Sequence, residues 1–375
     1  MLAPKARQIL TPLACAALML GSASASAEYA LNMRNGVTPI SHEAYHLHMM
    51  ILGICAAIGV VVFGAMIISM IKHRKSKGAT PAQFHESTAV EIIWTIIPFL
   101  ILIGMAIPAT KALVVMEDTT KPDLTIRVTG YQWKWGYEYA DEGVSFISSL
   151  STPHNQIVNE APKDENYLLE VDHPLVVPIN KKVLLQITSA DVIHAWWVPD
   201  LGMKKDAIPG SVNQMWFKIE QEGTYRGQCA ELCGKDHGFM PIVVVAKNDA
   251  DYQQWLSAQK SASDADTAAA EKEWSKSDLM ARGEKVFTAN CASCHQASGE
   301  GVPGVFPALK GSAIATGPID AHLDRVMNGK PGTAMVAFAK QLNDVDIASV
   351  ITYERNSWGN NAGDLVQPSA VKAAR

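Results

Sequence analysis

Cysteine is scarce in this chain, six residues in 375, and two of them, Cys15 and Cys55, sit inside apolar runs. That excludes a disulfide-stapled secreted scaffold, and the other four thiols fall in two tight clusters of another kind. Charge of one sign is lacking too. Lys and Arg number 32 against 37 Asp and Glu, a net charge of -5, which excludes the strongly basic surface that nucleic acid binding demands. Formal charge is missing altogether from Met49 to Ile71 and from Ile92 to Thr110. With 48% hydrophobic and 18% charged residues, the chain is too apolar to be disordered and long enough for two or three domains.

The two charge-free stretches, 23 and 19 residues long, read as membrane-spanning helices. The longer covers about 35 Å as a helix, enough for a bilayer core. Pro98 and Pro108 lie inside the second span, where neighbours can satisfy the freed carbonyls. Between the spans stands Lys72-His-Arg74-Lys75-Ser-Lys77. By the positive-inside rule this loop is cytoplasmic, and everything after Lys111 lies on the outer side. Ahead of them, Lys5 and Arg7, an apolar run from Ile9 to Leu20 and the small residues to Ala27 predict a signal peptide over 1–27.

Beyond Leu124 the pattern changes to short strands. Leu124–Thr129 alternates, Lys182–Thr188 and Ile242–Ala246 are apolar runs, and Gly and Pro punctuate them, which predicts an all-β sandwich over 116–256. Trp135, Tyr137 and Tyr139 alternate and predict one packed strand face.

One loop of this region concentrates soft donors: Gly227-Gln-Cys229-Ala-Glu231-Leu-Cys233-Gly-Lys-Asp-His237-Gly-Phe-Met240-Pro241. Cys-x3-Cys alone is compatible with a disulfide, half a zinc site, a thiol-redox pair or copper ligands. A zinc site would leave Met240 idle, and a redox dithiol usually has Cys-x-x-Cys spacing and needs neither His237 nor Met240. Thiolate, imidazole and thioether together are the copper palette. A further strong ligand should come from elsewhere in the domain, and His194, after the 182–188 strand, is the candidate.

Residues 257–273 are small and polar and predict a linker, flexible or partly helical, spanning roughly 20 Å if a coil. The domain that follows, 274–360, carries Cys291-Ala-Ser-Cys294-His295, the attachment signal of a c-type haem: two thiols for the vinyl groups and an imidazole for the iron. Met335 is the expected sixth ligand. Met327 sits in an apolar helical pattern and reads as core. Helical spacing over 278–287 and 343–353, with Gly283 and Tyr353 allowing a close crossing, completes a small all-α domain. The residues from 361 to 375 read as a disordered tail.

The copper loop, His194, Tyr131-Gln-Trp133-Lys-Trp135-Gly-Tyr-Glu-Tyr139 and the Leu201–Gly210 stretch resemble subunit II of haem-copper cytochrome c oxidase. The C-terminal domain resembles class I cytochromes c, although Val336 stands where those often have Pro after the Met. The resemblance implies a multidomain protein: a signal peptide, an N-terminal segment with a two-helix membrane hairpin (28–115), a cupredoxin-like β-sandwich and a fused class I cytochrome c, as in caa3-type oxidases. It also implies a binuclear copper centre, CuA. Cys229 and Cys233 would bridge both coppers, His194 and Met240 would complete one, and His237 with the Glu231 carbonyl the other. The Glu231 carboxylate would reach a magnesium ion shared with the catalytic subunit. Trp133 would be the electron entry point, and Glu91, in Glu91-Ile-Ile-Trp94-Thr95, the entrance of a proton-uptake path, where spacing alone suggests only a helix N-terminal carboxylate. The implied partners are oxidase subunits I and III, cytochrome c or another periplasmic donor, and membrane lipid, with no nucleic acid. The setting is the bacterial inner membrane, with the N-terminus and both redox domains periplasmic. Electrons would pass from haem c through CuA to subunit I, which reduces oxygen to water with proton pumping. The alternatives are a CuA-containing nitric or nitrous oxide reductase component and a membrane-tethered copper chaperone or thiol-redox assembly factor.

Overall fold

The computed structural model describes residues 32–80, 83 and 85–375. The signal peptide assigned to 1–27 lies outside them. The chain forms two compact units, one comprising 45–80 with the residues before Gly36, the other Gly36–Ala44 with 81–375.

Helix α1 spans Pro39–Lys72 and continues from the sandwich unit into the first unit. Its side chains from Val60 to Ile71 are largely exposed, Val60 at 75% and Phe63 at 64%, as a helix whose solvent is lipid would present them. In the other unit, α2 (Thr88–Met116) keeps helical form through Pro98 and Pro108. Both helices are long and apolar enough to cross a membrane. The segment Gly36–Ala44 is fastened to the sandwich: the Thr38 hydroxyl donates to the Leu201 carbonyl at 2.9 Å, and Val37 N donates to Asp200 O at 3.0 Å.

The sandwich has ten strands: β1 (Leu124–Tyr131), β2 (Lys134–Tyr139), β3 (Val144–Ser148), β4 (Leu175–Pro178), β5 (Val183–Ser189), β6 (His194–Val198), β7 (Met203–Ala207), β8 (Asn213–Phe217), β9 (Gly223–Gln228) and β10 (Pro241–Lys247). A five-stranded sheet runs β3-β2-β1-β5-β8, a three-stranded one β4-β10-β9, and β6 pairs with β7. As expected, Trp135, Tyr137 and Tyr139 fill the interior at 0–2% exposure. The Tyr139 hydroxyl donates to Val176 O at 2.6 Å and accepts from Val176 N at 3.1 Å. One phenol thus links the two larger sheets, its own donor and acceptor both used.

The polar linker is helical rather than coiled. It is the larger part of α3 (Asp249–Ala270), opened by the Asn248 side chain accepting from Asp251 N at 3.0 Å, an N-cap. At 22 residues, α3 is about 33 Å long. Tyr252 and Leu256 bury against the sandwich, and Trp255 packs on Tyr139 with ring centres 5.3 Å apart. Further along, Asp266 accepts from Asn343 at 3.1 Å in the C-terminal domain.

That domain comprises α4 (Lys276–Asn290), α5 (Ala292–His295), α6 (Ile319–Asn328), α7 (Asp344–Asn356) and α8 (Pro368–Ala374), with a short turn of helix at Ala313–Thr316. Asn343 caps α7 by accepting from Asp346 N at 2.8 Å. The crossing of α4 and α7 depends on Gly283: a Cβ there would lie 2.1 Å from Ser349 O and 2.7 Å from the Tyr353 Cβ. Residues 361–375, assigned above as a disordered tail, are ordered. Val366 and Val371 are buried at 2% and 0%, Arg355 holds Asp364 through two hydrogen bonds of 2.8 and 2.6 Å, and α8 packs back on α7. The apolar spacing of Val366, Pro368 and Val371 inside a polar segment was the overlooked signal.

Gly283→Val should destabilise the C-terminal domain by about 1–3 kcal/mol, the usual range for overpacking. Thermal unfolding followed by helix signal tests it; an unchanged midpoint would contradict the close crossing.

Candidate metal centre

Strands β9 and β10 pair antiparallel, with Gln228 opposite Pro241, so the intervening residues form a closed loop at one end of the core. Cys229 N donates to Met240 O at 3.2 Å and shuts the loop at its neck, while Ala230 N donates to Ala195 O at 3.0 Å and ties it to β6. That tie brings His194, the first residue of β6, to the loop. The predicted donors therefore converge. Cys229 Sγ lies 3.8 Å from Cys233 Sγ, 4.0 Å from His194 Nδ1 and 3.3 Å from Glu231 O. Cys233 Sγ lies 3.4 Å from His237 Nδ1 and 3.5 Å from Met240 Sδ.

The chemistry of this donor set fits a copper pair. The sulfurs are far beyond the roughly 2.05 Å of a disulfide, and each faces an imidazole and one further weak donor. His194, Cys229, Cys233 and Met240 are 0–4% exposed, and His237 is half-buried at the rim. The buried pair already favours one thiolate. Contact with Cys233 holds the Cys229 thiol far below its usual range, against burial and with help from His194. The same contact, then burial, pushes Cys233 up.

Three supporting residues escaped the sequence. Asp191 Oδ1 is 2.8 Å from His194 Nε2. A carboxylate on the outer nitrogen fixes the tautomer and turns Nδ1 toward the sulfurs. Burial pulls the His194 imidazole down, but the Asp191 hydrogen bond and the Cys229 contact outweigh it and leave it raised. Gly130, in β1, makes room for the ring, since a Cβ there would lie 2.8 Å from His194 Cδ2. Gln132 Nε2 donates to Cys233 O at 2.8 Å. An acidic residue three before a candidate ligand and a glycine inside a strand are the cues that could have found the first two.

Trp133 is half-buried beside the loop, and its indole N–H donates to Cys233 O at 3.1 Å. Gly234, at φ +116°, keeps the loop backbone close: a Cβ there would lie 3.2 Å from the Trp133 ring. Trp135, read as packing, is core and also meets the His194 ring edge-on at 5.9 Å. Glu231 is partly exposed, and Glu91 lies exposed in the first turn of α2.

In the C-terminal domain, Cys291 closes α4, and the next turn carries Cys294 and His295. His295 is 8% exposed, and its Nδ1 is 2.8 Å from Pro307 O. A carbonyl on Nδ1 leaves Nε2 for iron, so the imidazole fits a haem. Met327 is buried at 4% in α6, as expected of core, while Met335 is half-buried in the loop after α6.

A cluster of two thiols, two imidazoles and a thioether on a β-sandwich, behind two membrane-type helices and before a Cys-x-x-Cys-His domain, defines a membrane-bound copper and haem electron carrier. Family comparison agrees. Residues 124–247 match the cytochrome c oxidase subunit II periplasmic domain, 26–112 the subunit II transmembrane domain, and 278–353 the cbb3-type cytochrome c oxidase subunit III domain. The chain is 38% identical over 232 residues to cytochrome c oxidase subunit 2 of Cereibacter sphaeroides, covering 58% of this chain and 77% of that one. It is 39% identical over 237 residues to its counterpart in Arabidopsis thaliana, covering 63% and 91%. A crystal structure of the periplasmic domain of subunit II of cytochrome oxidase from Bradyrhizobium japonicum is 44% identical, covering 38% of this chain and 96% of that one at a TM-score of 0.34. The chain belongs to the cytochrome c oxidase subunit 2 family.

Gly130→Ala should push the His194 ring off its position and weaken copper binding by about 10–100-fold, the usual cost of disturbing a ligand's support. Competition with a copper chelator measures it; wild-type affinity would contradict the role given to Gly130.

Proposed function

We propose that this chain carries electrons within a respiratory cytochrome c oxidase, from a periplasmic cytochrome c through its own haem c and CuA to subunit I. The observation that supports this most is the convergence of His194, Glu231 O, His237 and Met240 on the Cys229–Cys233 pair, in a chain that also holds Cys291, Cys294 and His295. Free thiol exchange, as in a chaperone or assembly factor, would need neither His237 nor Met240 beside Cys233.

When bound, a copper pair would supply a shared one-electron store, and haem c a second one-electron carrier. Around them the protein acts by position. Cys229 and Cys233 would hold the copper pair through their sulfurs, with His194, Met240, His237 and the Glu231 carbonyl as the remaining donors. The β9–β10 closure and the buried ligands exclude water, so little need reorganise when charge changes. Trp133, bonded to Cys233 O, offers a path into the centre. Cys291 and Cys294 would anchor haem c, and His295, its Nδ1 held by Pro307 O, and Met335 would supply ligands to its iron. The Glu231 carboxylate would hold a magnesium ion shared with subunit I, a hard cation suited to oxygen donors. Glu91 stands at the mouth of a proton-uptake path in subunit I, and subunit III completes the complex. In this assignment residues 28–115 anchor the chain, 116–256 form the copper domain, and 257–273 join it to the cytochrome domain.

Rapid mixing of the intact oxidase with reduced cytochrome c should reduce haem c first and the copper centre second. Copper reduction ahead of the haem would contradict the order. Glu91→Ala should slow oxygen turnover several-fold, roughly the weight of a lost proton relay, and leave haem-to-copper transfer unchanged; unaltered turnover would leave Glu91 a helix-start carboxylate.

A further inference from the structure

Lys134 follows Trp133 directly, and Lys235 stands two residues after Cys233, so each amine is carried by backbone of the copper face. Both reach the cytochrome domain near its haem-binding residues. Lys134 Nζ donates to Asn290 Oδ1 at 2.8 Å and lies 5.1 Å from the centre of the Phe338 ring. Lys235 Nζ donates to Ser293 O at 3.3 Å. Asn290 and Ser293 flank Cys291, and Phe338 follows Met335 by three residues. The contacts thus bear on the segments that carry the haem anchor and its proposed axial methionine. Lys134 is only 7% exposed, although a lysine on a sheet surface normally keeps its ammonium in water. Both amines end on neutral oxygens, and one lies over an aromatic face, an arrangement that long-range screening by salt affects little.

We propose that Lys134 and Lys235 are positioning residues that clamp the chain's own cytochrome domain on the Trp133 face of the copper domain. The internal donor is then resident, and an external cytochrome is shut out of that face and must deliver to the haem domain. The inference rests on the electron-carrier reading above. The step it serves is a one-electron transfer in which haem c is oxidised and the copper centre reduced, with no bond made or broken. Helix α3, fixed to the sandwich at its start and to Asn343 near its end, holds the two domains in the same register.

Amine acetylation of the full chain, followed residue by residue, tests the clamp without reference to activity. Burial lowers the Lys134 ammonium to about 8, so slow labelling there would report lost access rather than a more protonated amine. Labelling about tenfold slower than at exposed Lys181, at both low and high salt, is expected for a covered contact. Asn290→Arg sets a like charge against Lys134, and Lys235→Glu acts from the copper side while leaving the haem segment intact. Each should raise Lys134 labelling about tenfold. Each should also slow photo-initiated haem-to-copper transfer in the intact oxidase about tenfold or more, as displacement of a positioned pair does, with haem and copper spectra retained. Unchanged Lys134 labelling in both variants would overturn the clamp, and so would a wild-type transfer rate that falls about tenfold between 0.02 and 0.5 M salt, the mark of charge-steered encounter. Absence of any haem-to-copper transfer in the wild type would overturn the carrier reading instead.

Discussion

The antiparallel closure of β9 and β10 is the constraint on which the copper site depends. Pairing Gln228 with Pro241 and Cys229 with Met240 forces the loop between them to double back, and that geometry alone puts two thiols and a thioether in one place. The loop ends in apolar core, so its donors lose water on folding and cannot stay unpartnered without cost. His194 arrives through a separate tie, Ala230 to Ala195, and Asp191 sets its tautomer. A shift of either hydrogen bond would separate donors that lie more than thirty residues apart in the chain.

Much of this was legible beforehand, for identifiable reasons. The soft donors of the 227–241 loop stand out by residue type and short spacing, both of which the sequence displays, and the charge-free spans follow from the absence of a few residue types. The buried alternation of Trp135, Tyr137 and Tyr139 was equally plain. Residues whose role exists only in three dimensions were hidden. Nothing local marks Gly130 as the floor beneath an imidazole from another strand, and Lys134 looks like a surface lysine until a second domain covers it. The tail failed for a different reason: 361–375 has a loop-like composition, but three apolar side chains are enough to seat α8 on α7.

The helical α3 changes how the two redox domains are joined. A coil would make their encounter a matter of effective concentration, whereas a helix fastened to both domains removes most of that search. Folding and electron transfer then draw on the same contacts, since Tyr252, Trp255 and Leu256 pack α3 on the sandwich core while Asp266 and Asn343 fix it to the cytochrome domain. The Trp133 indole bonds the carbonyl of Cys233, next to Lys134, which bonds Asn290 of the cytochrome domain.

The central claim is that Cys229 and Cys233 hold one copper pair rather than a disulfide, a zinc ion or a single copper. Electron paramagnetic resonance of the copper-loaded full chain tests it most directly, because a shared electron couples equally to both nuclei. Two coppers per chain, with one unpaired electron spread over them, are expected. A spectrum of one isolated copper, with its electron on a single nucleus, would contradict it.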